Sequence, residues 1–361
     1  MFSKVIHSCS AVSEVLNRCS GIASIRLVFR LMSSEAEKDI LKFLRKHQSF
    51  TTFSLGSNSA ASIQYVDTNQ PGPAVLLITG IKSEFYDFGG LIQALSRKGL
   101  RVLAPNLPGF GRSFIRPSSY FRHSPEEVAN VLRRFLVSIN VPRVDLMLAH
   151  SAGIFPALTL ISDNPQFFRS MVLMCPPGLR PWRGIKPLWL FRGGSYCFSK
   201  PILKLAVLPL FRWIHKRVKM ECSDDTVKVN VHTIGNIDFL KASKCADDIV
   251  ANNTPVLLAF STNDPYIEKA VVYRTACRWG LRKEDFWCYD DDGILITEGK
   301  NPLSGNHQNY IVGLSFSRGR HSIFLKYQDI LVEAMMNMLN YVTIQDVSRE
   351  SPEKFKVFTK I

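Results

Sequence analysis

The sequence predicts an α/β protein in which a mostly parallel sheet is flanked by helices and interrupted by a helical insertion. Three observations support this fold class. Short apolar runs alternate with amphipathic helical segments, which is typical of parallel strands covered on both faces. One of these runs turns directly into a helix at Ser151. The strand pattern then stops from about Leu179 to Asn253.

The composition favours an intracellular protein with a large core. The chain has 361 residues, of which 46% are hydrophobic, enough for one large α/β domain with an insertion or for two domains. Its eight cysteines include no Cys-x-x-Cys pair, which argues against a metal site or a disulfide framework and favours reduced thiols. No apolar run reaches the length of a membrane span.

Residues 1–34 differ from the rest of the chain. They are basic, serine-rich and poor in acids, and lack the continuous apolar core of a secretory signal. This leader resembles a mitochondrial transit peptide. A disordered segment or a packed N-terminal helix explains it equally well. The predicted location is therefore mitochondrial if the leader is a transit peptide and cytoplasmic otherwise.

The first half of the predicted core covers residues 35–178. A short exposed helix, to about Lys46, precedes a hairpin of strands at 51–55 and 62–66. Buried strands are then expected at 74–78, 101–104, 144–149 and 170–174. Helices are expected at 88–97 and 125–135, and the second of these begins with a capping box at Ser124 and a proline.

Residues 179–253 are predicted to form a mostly helical cap that concentrates the positive charge. Aromatic residues alternate here with lysines and arginines, and neither Asp nor Glu occurs between Asp163 and Glu221. Two interpretations of this cap are open. In the first, its cations are only solvated. In the second, it has an apolar inner wall over a site and a basic outer face in weak contact with an anionic membrane surface. The net charge of +15 also suits nucleic acid, but no recognisable motif supports that partner.

The second half of the core covers residues 254–345, followed by a tail at 346–361. Strands are expected at 255–260 and 310–316, and helices at 267–278 and 323–339. The polar segment 289–309 is predicted to be a surface excursion. Its three consecutive aspartates, 290–292, lack the spacing of an EF-hand loop, so a solvated loop is favoured over a calcium site.

The turn at Ser151 has the pattern of a nucleophile elbow. A strand runs into a helix through His150-Ser151-Ala152-Gly153, and the small residues Ala149 and Gly153 suit so tight a turn. The Ala152 N–H, at the start of the helix, can stabilise an oxyanion. The competing interpretation is a serine that only caps the helix.

A serine nucleophile needs a histidine base and a carboxylate that orients the base, and both follow predicted strands. Asp264 lies in a turn after strand 255–260, and His321 lies after strand 310–316. Their order in the chain, Ser–Asp–His, matches that of the elbow-type hydrolases. Asp264 could instead only form the turn, with the acid among residues 290–292, and His321 could cap the last helix. His150 is expected to pack, and the histidines at 215, 232 and 307 follow no strand.

From about Phe50 to Val342 the chain resembles a capped α/β-hydrolase of the Ser–Asp–His type. The stretches that carry the resemblance are VLLITGIKSEFYDF, RVLAPNLPGFGRS, LMLAHSAG, PVLLAFSTNDPYIE and GRHSIFLKYQDILVEAM. The resemblance implies that Ser151 is the nucleophile, Asp264 the acid and His321 the base. It also implies that the Ile81 N–H is the second oxyanion donor, beside that of Ala152.

The chain departs from the family pattern at three positions. Ala149 replaces the first glycine of the elbow, Thr79 replaces a histidine before the oxyanion loop, and Asn106 replaces an aspartate. The serine itself argues against epoxide hydrolase or dehalogenase chemistry, because those members of the family use an aspartate nucleophile.

The expected function is hydrolysis of a carboxylic ester, a thioester or a lipid-like acyl compound through an acyl-enzyme on Ser151. Such an esterase or lipase-like enzyme of lipid metabolism would take a small, apolar acyl substrate and needs neither cofactor nor metal. Two alternatives stay open: an acyltransferase that uses the same triad, and a non-catalytic binding protein with the hydrolase fold.

Overall fold

The structure is a computed structural model that describes residues 35–56, 58–117, 121–200, 202–218, 220, 222–299 and 310–350, with the side chains of 345–350 left aside. The predicted leader, 1–34, lies outside the described residues, as do residue 307 and the part of the predicted tail beyond 350.

The sheet begins with antiparallel strands beside an amphipathic helix. Helix α1 (Glu35–His47) is followed by β1 (Gln48–Gly56) and β2 (Ser59–Asp67), which pair antiparallel over more residues than the sequence predicts. The short strand β5 (Phe114–Arg116), which the sequence analysis missed, also pairs with β2.

Six parallel strands form the centre of the sheet. They are β3 (Ala74–Ile78), β4 (Arg101–Pro105), β6 (Leu146–His150), β7 (Met171–Met174), β8 (Val256–Ser261) and β11 (Ile311–Phe316). Their spatial order is β4-β3-β6-β7-β8-β11. Every residue of β3, β6, β7 and β8 is buried, as expected for strands covered on both faces. The predicted fold class is therefore confirmed.

Helices pack against both faces of this sheet. One face is covered by α3 (Pro125–Ser138) and α4 (Ile154–Asp163), and the other by α2 (Gly89–Arg97) and the C-terminal helices. Helix α3 begins with the predicted capping box, in which the Glu127 N–H donates to the Ser124 hydroxyl. Among the described residues, no helix combines the length and the hydropathy needed to cross a bilayer.

In the described part of the chain, four α-helices lie between β7 and β8. They are α5 (Leu188–Phe198), α6 (Leu203–Arg217), α7 (Asp224–Gly235) and α8 (Phe239–Ala251). Helices α5 and α6 both pack against α7, and α8 packs against α4 of the core. Phe191, Phe198 and Phe211 are buried between the first three helices, which holds the insertion together. The limits proposed for the cap, 179–253, stay a prediction.

The segment after β8 contains two strands that the sequence analysis did not predict. The second strand and the last residue of the first lie in the predicted surface excursion, 289–309, of which residues 300–309 are outside the described residues. After α9 (Lys269–Ala276), strand β9 (Phe286–Tyr289) pairs parallel with β11, and β10 (Leu295–Thr297) pairs antiparallel with β9. Asp290 forms the turn between them, since one of its carboxylate oxygens accepts the N–H groups of Asp292 and Ile294. These strands of four and three residues are too short to show a reliable strand periodicity.

The predicted C-terminal helix is divided in two. Helix α10 (Ile323–Lys326) ends at Tyr327, and α11 (Gln328–Glu350) continues past the predicted start of the tail at 346. The Tyr327 hydroxyl donates to the Asp290 carbonyl at 3.0 Å, and its ring stacks on Phe316. These tertiary contacts hold Tyr327 in a non-helical conformation.

We expect Asp145→Ala to lower the free energy of unfolding by about 3 kcal/mol. The buried Asp145 carboxylate accepts from the Ala74 N–H and from Arg169, each at 2.8 Å. Its removal leaves the Arg169 guanidinium with one charge partner fewer in a largely buried position. Urea denaturation measures the change.

The matched control is Asp225→Ala, because the Asp225 side chain is 89% exposed beside Lys228. An exposed pair of this kind contributes less than about 1 kcal/mol. Equal losses of stability in the two variants would contradict the role assigned to Asp145.

Candidate active site

The serine at the end of β6 lies in a strained and crowded turn. Ser151 has a φ of +52°, in the left-handed region that non-glycine residues seldom adopt. A Cβ on Gly153 would lie 2.5 Å from the Thr79 carbonyl oxygen, so only glycine fits there. Ala149, by contrast, is fully buried in the sheet, where its methyl group is accommodated. The turn has the geometry of a nucleophile elbow despite this departure.

The structure brings the three predicted triad residues together. His321 Nε2 lies 2.7 Å from Ser151 Oγ, and His321 Nδ1 lies 2.6 Å from Asp264 Oδ2. An ionised carboxylate can only accept, so the proton is assigned to Nδ1. Nε2 then has a free lone pair for the serine proton. This is the tautomer that a general base requires.

Asp264 is both a turn-former and a partner of the histidine. Its Oδ1 atom accepts the N–H groups of Tyr266 at 2.8 Å and Ile267 at 3.1 Å, which leaves Oδ2 for His321. The Asp264 side chain is only 3% exposed. The alternative acids at 290–292 lie at the β9–β10 turn, where Asp291 pairs with Arg318.

Two polar residues that the sequence analysis missed, Ser261 and Asn263, hold the loop of Asp264 against the loop of His321. The Ser261 hydroxyl donates to the Arg318 carbonyl at 2.6 Å, and the Arg320 N–H donates to Asn263 Oδ1 at 2.9 Å. Both bonds connect the segment after β8 to the segment after β11. They were not predictable from sequence because each bond has a main-chain group as one partner, which no residue pattern marks.

His150 packs as predicted, and it also makes a hydrogen bond that was not predicted. Its ring is buried against Phe88 and Phe324, and its Nε2–H donates to the main-chain carbonyl of His321 at 2.9 Å. Burial, assisted by the neighbouring His321, lowers the pKa of His150 to about 3. His150 is therefore neutral at physiological pH and supports the loop that carries His321.

A cavity lies beside the elbow, and both predicted oxyanion residues, Ile81 and Ala152, line it. Most of its wall is apolar, supplied by Leu107, Pro108, Phe110, Pro125, Val128, Phe155, Pro156 and Ile237. Thr79, His123 and Thr233 are the polar side chains in the wall. Burial, with a smaller effect of His232, lowers the pKa of His123 to about 3, so the cavity wall carries no charge there.

The other two departures from the family pattern are satisfied by hydrogen bonds. Thr79 is buried, and its hydroxyl donates to the Ser83 carbonyl at 3.2 Å. Asn106 is also buried; its Oδ1 accepts the Phe85 N–H, and its Nδ2 donates to Gln64. Both residues therefore brace loops around the cavity.

His150, Cys175 and His321 form a compact group whose potential ligand atoms lie within 4.8 Å of one another. Metal binding would take His321 away from Ser151 or Asp264. Burial also raises the pKa of the Cys175 thiol, which disfavours the thiolate that a metal needs. These properties suit a group of residues that supports His321 better than they suit a metal centre.

We expect Gly80→Ala to slow the reaction of Ser151 with a fluorophosphonate about 10²-fold. An added Cβ would lie 2.7 Å from Ser151 Cβ and 3.3 Å from Ser151 Oγ, so the serine must move. The rate of labelling of the purified protein measures this effect. Gly193→Ala is the control, since its Cβ would meet nothing within 4 Å. An unchanged labelling rate for Gly80→Ala would contradict the described packing at the elbow.

Comparisons with known proteins support the fold. A family model described as the alpha/beta hydrolase fold matches residues 73–209. A haloalkane dehalogenase of Psychrobacter cryohalolentis is 30% identical over 112 residues, which cover 31% of this chain and 36% of that protein. The chain thus matches about a third of the length of this relative.

Solved structures share the fold over a larger part of the chain. A carboxylesterase structure from Nitrososphaera gargenis aligns with a TM-score of 0.56 at 14% identity, covering 82% of this chain and all of that one. A loop variant of a haloalkane dehalogenase from Bradyrhizobium elkanii has a TM-score of 0.56 at 13% identity, covering 84% of this chain and 99% of that one. The parallel sheet, the nucleophile-elbow turn, the matching family model and these structures show that the chain has the α/β-hydrolase fold.

Proposed function

We propose that the protein is a serine hydrolase that cleaves a carboxylic ester, a thioester or a lipid-like acyl compound through an acyl-enzyme on Ser151. The observation that carries the proposal is the continuous relay from Ser151 through His321 to the buried Asp264. An apolar cavity beside the elbow supplies the place for an acyl chain.

The relay accounts for both halves of the reaction. As Ser151 Oγ attacks the acyl carbon, His321 Nε2 takes the hydroxyl proton, and Asp264 stabilises the resulting imidazolium. The N–H groups of Ile81 and Ala152 are the proposed donors to the oxyanion. The C–O or C–S bond then breaks, and His321 protonates the leaving alcohol or thiol. Water, deprotonated by His321, releases the carboxylic acid and restores Ser151.

The serine nucleophile also argues against dehalogenation, although haloalkane dehalogenases are among the proteins to which the chain is similar. A carboxylate that displaces a halide forms an ester, which water can hydrolyse at its carbonyl. A serine hydroxyl that displaced a halide would form an ether, which has no carbonyl to attack. Ser151 would be consumed after one turnover, so the residue supports acyl chemistry.

We expect Asp264→Asn to lower kcat for a p-nitrophenyl ester about 10⁴-fold. Asparagine can donate to His321 Nδ1 and so favours the tautomer that cannot accept the serine proton. Ser151→Ala should abolish both turnover and fluorophosphonate labelling. Release of p-nitrophenol and labelling of the purified chain measure the two effects.

The control is Asp290→Asn, which tests the alternative acid while keeping an oxygen acceptor for the turn N–H groups. A large loss in this variant, together with normal turnover of Asp264→Asn, would assign the acid to the β9–β10 turn. The absence of both fluorophosphonate labelling and turnover in the unchanged protein would favour a binding protein. Ester as the dominant product in the presence of an added alcohol would favour an acyltransferase.

We expect Val128→Phe to shorten the acyl chains that the protein accepts. Val128 lines the cavity, and the larger ring occupies space that a long acyl chain needs. In a series of p-nitrophenyl esters, kcat/KM should fall at least about tenfold for long chains and little for acetate. Val137→Phe, at an exposed position of the same helix, should leave the series unchanged. A uniform loss over all chain lengths would contradict an acyl site in this cavity.

A further inference from the structure

Large apolar side chains are exposed on the first two helices of the insertion. On α5, Trp189 is 72% exposed, and on or beside α6, Ile202 is 82% and Trp213 58% exposed. Tyr196 and Leu205 are also exposed. A concentration of exposed aromatic and aliphatic side chains on two helices that pack against each other is typical of a surface that contacts another apolar phase.

On α5 the exposed side chains form one stripe. Trp189, Arg192 and Tyr196 are spaced by three and four residues, so they lie on the same side of the helix. Lys200, just after the helix, continues the stripe, with its ammonium 5.6 Å from the Tyr196 ring centre. The opposite side, with Phe191 and Phe198, is buried against the rest of the insertion.

Helix α6 repeats this arrangement. Phe211 and His215 are buried on one side, while Leu205, Trp213 and Lys216 are exposed on the other. The Arg217 guanidinium lies 5.8 Å from the Trp213 ring centre. Since α5 and α6 both pack against α7, each helix leaves an aromatic and basic side uncovered within the described structure.

We propose that this aromatic–basic face, defined by Trp189, Arg192, Tyr196, Lys200, Leu205 and Trp213, binds the surface of an anionic phospholipid membrane. Tryptophan and tyrosine side chains prefer the boundary between headgroups and acyl chains, and leucine penetrates more deeply. Lysines and arginines around them attract anionic headgroups. The sequence has no acid from 164 to 220 that would repel such a surface.

Charge complementarity selects the anionic membrane over a second copy of the chain. A second copy would bring the same cations into an apolar interface, where like charges repel each other. The proposal concerns a binding surface away from Ser151 and does not rest on catalysis. The Ser151→Ala protein should therefore bind membranes as well as the unchanged protein does.

The test is flotation of the full chain with vesicles of phosphatidylcholine alone or with added phosphatidylserine. We expect at least about tenfold stronger binding to the anionic vesicles, weakened by salt. Binding should also shift tryptophan emission to the blue. Trp182 and Trp279 are buried, and the half-buried Trp287 lies on β9 of the sheet rather than in the insertion, so the shift should disappear in a Trp189→Phe, Trp213→Phe variant.

Charge reversal at Arg192 and Lys200 (Arg192→Glu, Lys200→Glu), or Leu205→Ser with Trp213→Ser, should reduce binding at least about tenfold. Leu240→Ser is the matched control, because Leu240 is 85% exposed in the same insertion but lies on α8. Unchanged thermal unfolding and fluorophosphonate labelling show that each variant remains folded.

Three results of the vesicle experiments would overturn the proposal. They are the absence of binding to anionic vesicles, equal binding to neutral and anionic vesicles, and unchanged binding by folded variants of the face. Self-association in vesicle-free buffer that these variants abolish would assign the face to a second copy and would also overturn it.

Discussion

The candidate site depends on one constraint: parallel strands place their carboxyl ends at the same edge of the sheet. Ser151 and His321 are 170 residues apart in the chain and 2.7 Å apart at their reacting atoms. They meet because β6, β7, β8 and β11 are consecutive neighbours in the sheet. The bond from Ser261 to the Arg318 carbonyl then fixes the last two loops against each other.

Around this edge the protein controls charge by burial. Asp264 is nearly inaccessible to water, yet its carboxylate has three hydrogen-bond donors. Burial lowers the pKa of His150 to about 3, so this neighbour adds no positive charge beside His321 when the proposed base takes a proton. The neighbouring cavity is apolar, and its histidine, His123, is neutral for the same reason. Among these groups, the Asp264 carboxylate is therefore the one that would stabilise a positive charge on a protonated His321.

The features that could be predicted from the sequence are those that local residue patterns encode. Strand β3 begins and ends where its apolar run does, and the capping box at Ser124 starts α3 as expected. The positions of Asp264 and His321 followed from strand ends and chain order. Strands β5, β9 and β10 escaped prediction because three or four residues show no reliable periodicity. The interruption at Tyr327 and the bond from His150 to the His321 carbonyl depend on tertiary partners, which a one-dimensional pattern cannot specify.

Rapid acid quenching of the protein during turnover of p-nitrophenyl butyrate, followed by mass spectrometry of its peptides, tests the proposed reaction most directly. The relay of Ser151, His321 and Asp264 predicts a butyryl group on the peptide that contains Ser151. It also predicts a burst of p-nitrophenol that matches this acylation. Sustained turnover with Ser151 unmodified, or a butyryl group on another residue that is kinetically competent, would contradict the account.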